Sequence, residues 1–169
     1  MSIAQSLLPE FDHEMGQTRR MLERIPEDQL NFKPDPRSMT LARLAGHLGE
    51  MPLWALTTLD RTELDVTPSE SSQFEALVAT SRQQLLAAFD KNVAGARAAV
   101  AAASDQDLLT PWSLISSGKV RFTMPRVAVL RGMVMNHMVH HRGQLTVYFR
   151  LTGIPVPALY GPSADEGTL

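Results

Sequence analysis

Cysteine is absent from the 169 residues, which removes disulfides, thiolate zinc sites and a cysteine nucleophile together. Any metal or catalytic chemistry must then rest on nitrogen and oxygen groups. A surplus of positive charge is also missing. Sixteen Lys and Arg stand against eighteen Asp and Glu, a net charge of −2, which argues against nucleic acid as a partner, because phosphate-backbone binding draws on a cationic excess. No apolar run approaches the roughly 18 residues needed to cross a bilayer. The opening Met1–Gln5 lacks the basic start of a secretory signal. No membrane partner is expected, and a cytoplasmic location is. No stretch has the composition of a linker, so residues 1–169 are expected to form one domain. What is present is 44% hydrophobic and 20% charged, enough apolar material for one packed core and too little charge for disorder.

Ile3, Leu7, Phe11, Met15, Leu22 and Ile25 recur every three or four positions along much of their run, the signature of one apolar face on a helix. A first helix is expected over about Ile3 to Arg24, with Pro9 in its first turns or kinking it. Pro26 to Arg37 carries three prolines and reads as a loop. Ser38 is the expected cap of a second helix, which carries Leu41, Leu44, Leu48, Met51, Ala55 and Leu59 and bends at Pro52. Phe74, Leu77, Val78, Ser81, Leu85, Phe89 and Val93 mark a third helix running to Ala103. Ser104 to Met124 is expected to be a long irregular connection. A fourth helix should begin at Thr123 as cap with Pro125 in its first turn and end at Gly153, before Pro155. Four amphipathic helices without a convincing strand point to an all-α, up-and-down bundle or a variant with one longer crossover.

The histidines carry the chemistry. His137 and His141 differ by four residues, a spacing that stacks two imidazoles on one helical face within reach of one ion. Both lie in the apolar stripe of the fourth helix. His47 lies in the apolar stripe of the second, between Leu44 and Met51. Were those helices neighbours, the three rings would supply the nitrogen ligands of an open metal site; the alternative is a hydrogen-bonded polar core. His13 points away from its stripe and reads as a surface residue. His140 is turned about 100° from His141 and reads as a residue behind the ligands, at an interface or on the surface. The zinc-protease motif His-Glu-x-x-His is absent, since Met138 follows His137.

The run His137-Met-Val-His-His-Arg-Gly-Gln-Leu145, followed by Tyr148-Phe-Arg150 and Gly153-Ile-Pro-Val-Pro157, resembles the C-terminal part of the DinB-like (damage-inducible) family. Ser38-Met-Thr-Leu-Ala-Arg-Leu-Ala-Gly-His47 resembles that family's second helix. The resemblance implies a four-helix bundle with a longer crossover, often a homodimer, that binds a divalent metal through three histidines, which fall here on His47, His137 and His141. It also implies kinship with thiol-dependent transferases and isomerases that use bacillithiol or mycothiol.

Around that set, Glu50 one turn after His47 is either an orienting partner or a solvated flank. Trp54 is either a wall over the metal or plain core. Gln144 lies near the histidines, and Arg142 is expected to pair with a carboxylate at the surface or a dimer contact. Met135, Val139 and Phe149 lie outside the main stripe of the fourth helix, which favours a homodimer. Three imidazoles suit zinc or nickel first, with iron and manganese as further candidates. The expected function is a metal-dependent enzyme that activates a small thiol or water for transfer or hydrolysis, acting on a small-molecule substrate. The alternative is a non-enzymatic metal-binding stress-response protein.

Overall fold

Ser2 opens the first helix, α1 (Ile3–Leu22), with a reciprocal cap in which its hydroxyl accepts from the Gln5 amide and the Gln5 side chain returns to the Ser2 amide. The computed structural model of the protein describes residues 1–67 and 76–167. Pro9 lies inside α1 on its exposed side. The second helix is capped by Thr40, not Ser38: the Thr40 hydroxyl accepts from Arg43 N–H. It is divided at Met51 into α2 (Leu41–Glu50) and α3 (Pro52–Asp60), because Pro52 has no N–H for the Leu48 carbonyl. The expected bend thus appears as a break immediately after Glu50.

The third helix, α4 (Arg82–Ala102), starts later than the pattern suggests. Ser81 caps it through the Gln84 amide, while Leu77 and Val78 lie outside any helix. Their backbone is engaged elsewhere: Leu77 N–H donates to Glu50, and Ala79 N–H donates to the Ala42 carbonyl. Phe74, the first residue of the expected stripe, lies outside the described residues.

The all-α expectation needs correction. A short helix, α5 (Asp105–Leu109), and three strands interrupt the helical fold: β1 (Glu63–Asp65), β2 (Pro111–Ser116) and β3 (Lys119–Pro125). They form one sheet in the order β1-β2-β3, with β1 parallel to β2 and β2 antiparallel to β3. Most of the expected irregular connection is therefore a hairpin. Its turn, Ser117-Gly118, has positive φ at both residues (54° and 68°), the geometry whose twist matches that of paired strands. Thr123 is not a helix cap but a strand residue whose hydroxyl meets that of Ser113 at 2.7 Å.

The last helical unit begins at Arg126 as α6 (Arg126–Val129), widens into a π-helical segment over Leu130–Asn136, and continues as α7 (His137–Thr152), which Gly153 ends as expected. The fold is mostly helical. α1, α2, α3, α4 and α7 close on a core that includes Leu7, Phe11, Leu44, Leu48, Phe89, Leu145 and Phe149. Met135 and Phe149 are fully buried within the chain's own core and Val139 is half-buried, so these residues do not call for a partner subunit. No helix among the described residues is long and apolar enough to cross a membrane.

Candidate metal centre

His47 sits in the last turn of α2, and His137 and His141 on the first turns of α7, which packs directly against α2. One ring nitrogen from each of the three residues lies within 4.8 Å of the others. The ring centroids of His141 are 4.6 Å from His47 and 4.5 Å from His137. His137 Nε2 and His141 Nε2 approach to 2.7 Å. A tetrahedral ion with Zn–N bonds near 2.0–2.1 Å spaces its ligand nitrogens about 3.4 Å apart; the His137–His141 pair is closer than that, and all three nitrogens lie within 4.8 Å of one another.

The donor chemistry fits a cation. His47 Nδ1 lies 2.8 Å from Glu50 Oε1, and an ionised carboxylate can only accept, so the ring proton belongs on Nδ1 and the Nε2 lone pair is free. His141 Nδ1 lies 2.7 Å from Gln144 Oε1 with the same result. His137 Nδ1 is buried without a well-formed hydrogen-bond partner. Two imidazole nitrogens at 2.7 Å require a shared proton or a shared ion. Burial lowers the pKa of His141 from 6.5 to about 4, with the Gln144 hydrogen bond opposing and the neighbouring histidines reinforcing. Burial and the proximity of His47 also lower that of His137. Both rings are thus neutral at pH 7, the form that ligates.

Glu50 is no solvated flank: it is 3% exposed. Burial alone would raise its pKa, yet hydrogen bonds from His47, Arg43 and the Leu77 amide bring the net shift below the usual carboxylate value. Arg43 Nη2 donates to Glu50 Oε1 at 2.7 Å. The sequence reading missed Arg43, although positions 43, 47 and 50 lie on one helical face at i, i+4 and i+7. It could not have found Leu77, which acts through its backbone. Trp54 is half-buried and stands against two of the rings, 5.8 Å from His47 and 5.5 Å from His137. Gln144 is exposed but holds His141. His140 is exposed and its ring is 5.0 Å from that of His141, outside the three-histidine group. His13 is exposed, as expected.

Arg142 departs from expectation. It is 1% exposed and pairs inside the protein with Glu14 at 2.5 Å, where Thr18 and Tyr160 complete its contacts.

An open cleft of about 380 Å³ begins at His141 and is lined by Arg37, Ser38, Met39, Leu44, Gln144, Val147 and Tyr148. A larger hollow of about 460 Å³ between Leu56, Arg61 and Ala99 includes none of the histidines; the cleft that touches His141 is the one relevant to the site.

Comparison with known proteins agrees with this architecture. The chain is 27% identical over 167 residues to the uncharacterized protein YrdA of Bacillus subtilis (strain 168), covering 94% of this chain and 89% of that protein. A DinB-like protein from Bacillus cereus ATCC 10987 superimposes with a TM-score of 0.71 at 26% identity, covering 94% of this chain and 98% of the other. A DinB-like protein from Bacillus subtilis shares the fold at a TM-score of 0.69 and 21% identity, covering 94% and 99% of the two chains. The sequence pattern of the DinB family extends over residues 1–168, and the protein is a member of that family.

Proposed function

We propose that this protein is a divalent-metal-dependent enzyme acting on a small molecule, with His47, His137 and His141 as the metal ligands. One observation carries the reading: among the described residues the group contains three imidazoles and no fourth His, Cys, Asp or Glu. A structural ion is normally closed off by a fourth protein ligand, whereas a reactive one keeps a position open. A divalent ion held there supplies an open position at which a thiol or water loses its proton near neutral pH. The chain contributes the rest. Glu50 and Gln144 keep His47 and His141 protonated at Nδ1 and oriented. Trp54 shields the His47 and His137 side, and the cleft beside His141 has the volume of a small-molecule site. Because the chain has no cysteine, any thiol arrives as a substrate.

Transfer of a low-molecular-weight thiol to an electrophile is the reading in first place, with hydrolysis second. Zinc or nickel is the proposed ion, then iron or manganese. A cytoplasmic location belongs to the same reading, since thiols are kept reduced there. So does a four-helix bundle as the scaffold, built of α1, α2 with α3, α4, and the unit ending in α7. Pairing with a second copy is proposed on Val147 and Leu151, which are 54% and 59% exposed on α7; light scattering at micromolar concentration tests it, and a monomeric mass removes it.

The decisive experiment is elemental analysis of protein purified without a nickel column, followed by assay of metal-loaded wild type and His47→Ala with small thiols and chlorodinitrobenzene, and with activated esters. About one ion per chain and metal-dependent turnover that His47→Ala abolishes are expected. Stoichiometric metal with no turnover of either kind would favour the non-enzymatic, metal-storing alternative.

A further inference from the structure

Gly46 precedes His47 on α2, and its missing side chain is occupied by another part of the chain. A Cβ built there would stand 1.9 Å from the Leu77 carbonyl oxygen and 2.7 Å from its carbonyl carbon, distances that no packing adjustment of a side chain can relieve. The Leu77 backbone therefore lies in the notch of that glycine. Both polar groups of Leu77 are taken by the side chains that flank His47. Its N–H donates to Glu50 Oε2 at 2.8 Å, and its carbonyl accepts from Arg43 Nη1 at 3.1 Å. The other Glu50 oxygen receives His47 Nδ1 at 2.8 Å and Arg43 Nη2 at 2.7 Å. The Leu77 side chain covers Gly49 on the next turn, and Ala79 N–H reaches the Ala42 carbonyl at 3.2 Å.

Burying a carboxylate is costly unless it is fully paired. Here the pairing is divided between the His47 imidazole and the Arg43 guanidinium on one oxygen and a peptide N–H distant in sequence on the other. If Leu77 moves away, Glu50 Oε2 loses its donor and Arg43 Nη1 its acceptor, so the carboxylate keeps only its Oε1 contacts and the Nδ1 acceptor that sets the His47 tautomer and ring angle is loosened with it.

We propose that residues 77–79 form a strap that positions the metal centre: Leu77, admitted by Gly46, holds Glu50, and Glu50 holds His47 in its ligating form. Gly46, Glu50 and Leu77 are positioning residues and touch no ion themselves. This rests on the metal reading above. Coupling between two sites is reciprocal, so strap docking raises metal affinity and metal binding protects the strap by the same factor.

The test uses the full chain, zinc as the probe, a chromophoric chelator as competitor, and hydrogen exchange at the Leu77 amide. In wild type, zinc is expected to slow exchange at Leu77. Glu50→Gln keeps the side-chain volume but cannot accept at both ends; it should weaken zinc binding about 10- to 100-fold, the usual cost of losing a partner behind a ligand. Gly46→Ala should weaken it comparably while leaving all three histidines in place. Unfolding of the metal-free variants, measured in parallel, separates the two roles. A purely structural contact lowers that stability and leaves both the zinc affinity of the folded protein and the zinc-induced protection as in wild type, which would overturn the proposal. Should Gly46→Ala fail to fold, Glu50→Gln and the wild-type exchange measurement decide. Wild type that binds zinc with no change at Leu77 overturns the strap alone; wild type that binds no zinc overturns the metal reading and the strap with it.

Discussion

Two buried polar clusters are joined through α7, and they differ in one respect. Around Arg142, every partner is accounted for. Its guanidinium meets the Glu14 carboxylate at 2.5 Å, the Glu14 carbonyl at 3.0 Å and the Thr18 hydroxyl at 3.1 Å, while Tyr160 closes the cluster with its hydroxyl 2.6 Å from Glu14 Oε2. Around His141 two of the three rings have outer partners, Glu50 for His47 and Gln144 for His141, while His137 Nδ1 is buried without one, and the inner nitrogens face one another with no described acidic or thiol group between them. A cluster that satisfies itself is a fastening, since buried charge is stable only when paired. A cluster whose lone pairs converge on a common point is a receptor for a cation. Adjacent residues of one helix, His141 and Arg142, thus serve different ends.

The largest effect should come from breaking the complete cluster. Arg142→Ala leaves Glu14 buried without its counter-ion, and removal of one partner from such a pair costs about 3–5 kcal/mol. Urea unfolding of the metal-free protein should register that loss. Should Arg142→Ala unfold within 1 kcal/mol of wild type, the cluster would not be a fastening.

Breaking the open cluster should do the reverse. His141→Ala removes one of the three proposed ligands, and zinc affinity is expected to fall at least about 100-fold, whereas the stability of the metal-free protein should change far less than in Arg142→Ala. Zinc at 100 times its dissociation constant should stabilise wild type by about 2.7 kcal/mol and leave this variant almost unmoved. His13→Ala, exposed on α1, should behave as wild type. Equal zinc affinities for His141→Ala and His13→Ala would undo the ligand assignment.

The difference between the clusters also explains what could be read from the sequence. The histidine set was legible because i, i+4 spacing and the apolar stripes confine each ring to a face before any tertiary contact is known. The fastening was not. Glu14 lies 128 residues from Arg142, and nothing local pairs them, so Arg142 reads as a surface cation until the fold brings α1 to α7. The sheet was missed for another reason. Val120, Phe122 and Met124 alternate with Lys119, Arg121 and Thr123 after Ser117-Gly118, a hairpin signal outweighed by the four stronger helical patterns. The π-helical segment before His137 left no trace either, because Val127, Leu130, Val134 and Met138 recur at three and four residues through it, the spacing of an ordinary helical stripe.

Gln144 offers a finer probe of the open cluster, because it holds His141 from an exposed position. Gln144→Ala should lower zinc affinity about 10-fold, the low end for a partner behind a ligand, and leave urea unfolding of the metal-free protein within about 0.5 kcal/mol of wild type. An affinity unchanged within twofold would mean that the His47 side alone orders the site.

The smallest effect, and the one that tests the fastening by pH, concerns Tyr160. The residue as a whole is 63% exposed, yet its hydroxyl lies between Glu14 and Arg142. Burial of that hydroxyl and its hydrogen bond to the Glu14 carboxylate push its pKa up to about 12, against the opposing pull of Arg142. A phenol whose folded pKa exceeds its unfolded value near 10 contributes stability in full below pH 10. Above pH 10 the unfolded chain loses the proton first, so the unfolded state binds fewer protons than the native one and stability declines as pH rises toward 12. Tyr160→Phe should lose about 1 kcal/mol at pH 7, the scale of one hydrogen bond, and its stability should decline less than that of wild type between pH 10 and 12. Tyr148, the other tyrosine, is also shifted upward by burial, against a hydrogen bond from Ser38. Tyrosinate absorbance of the folded protein should therefore emerge later than that of the denatured chain. Titration of both tyrosines near pH 10 in the native protein would show that the Arg142 cluster is open to water and that the contrast with the histidine site is smaller than the geometry indicates.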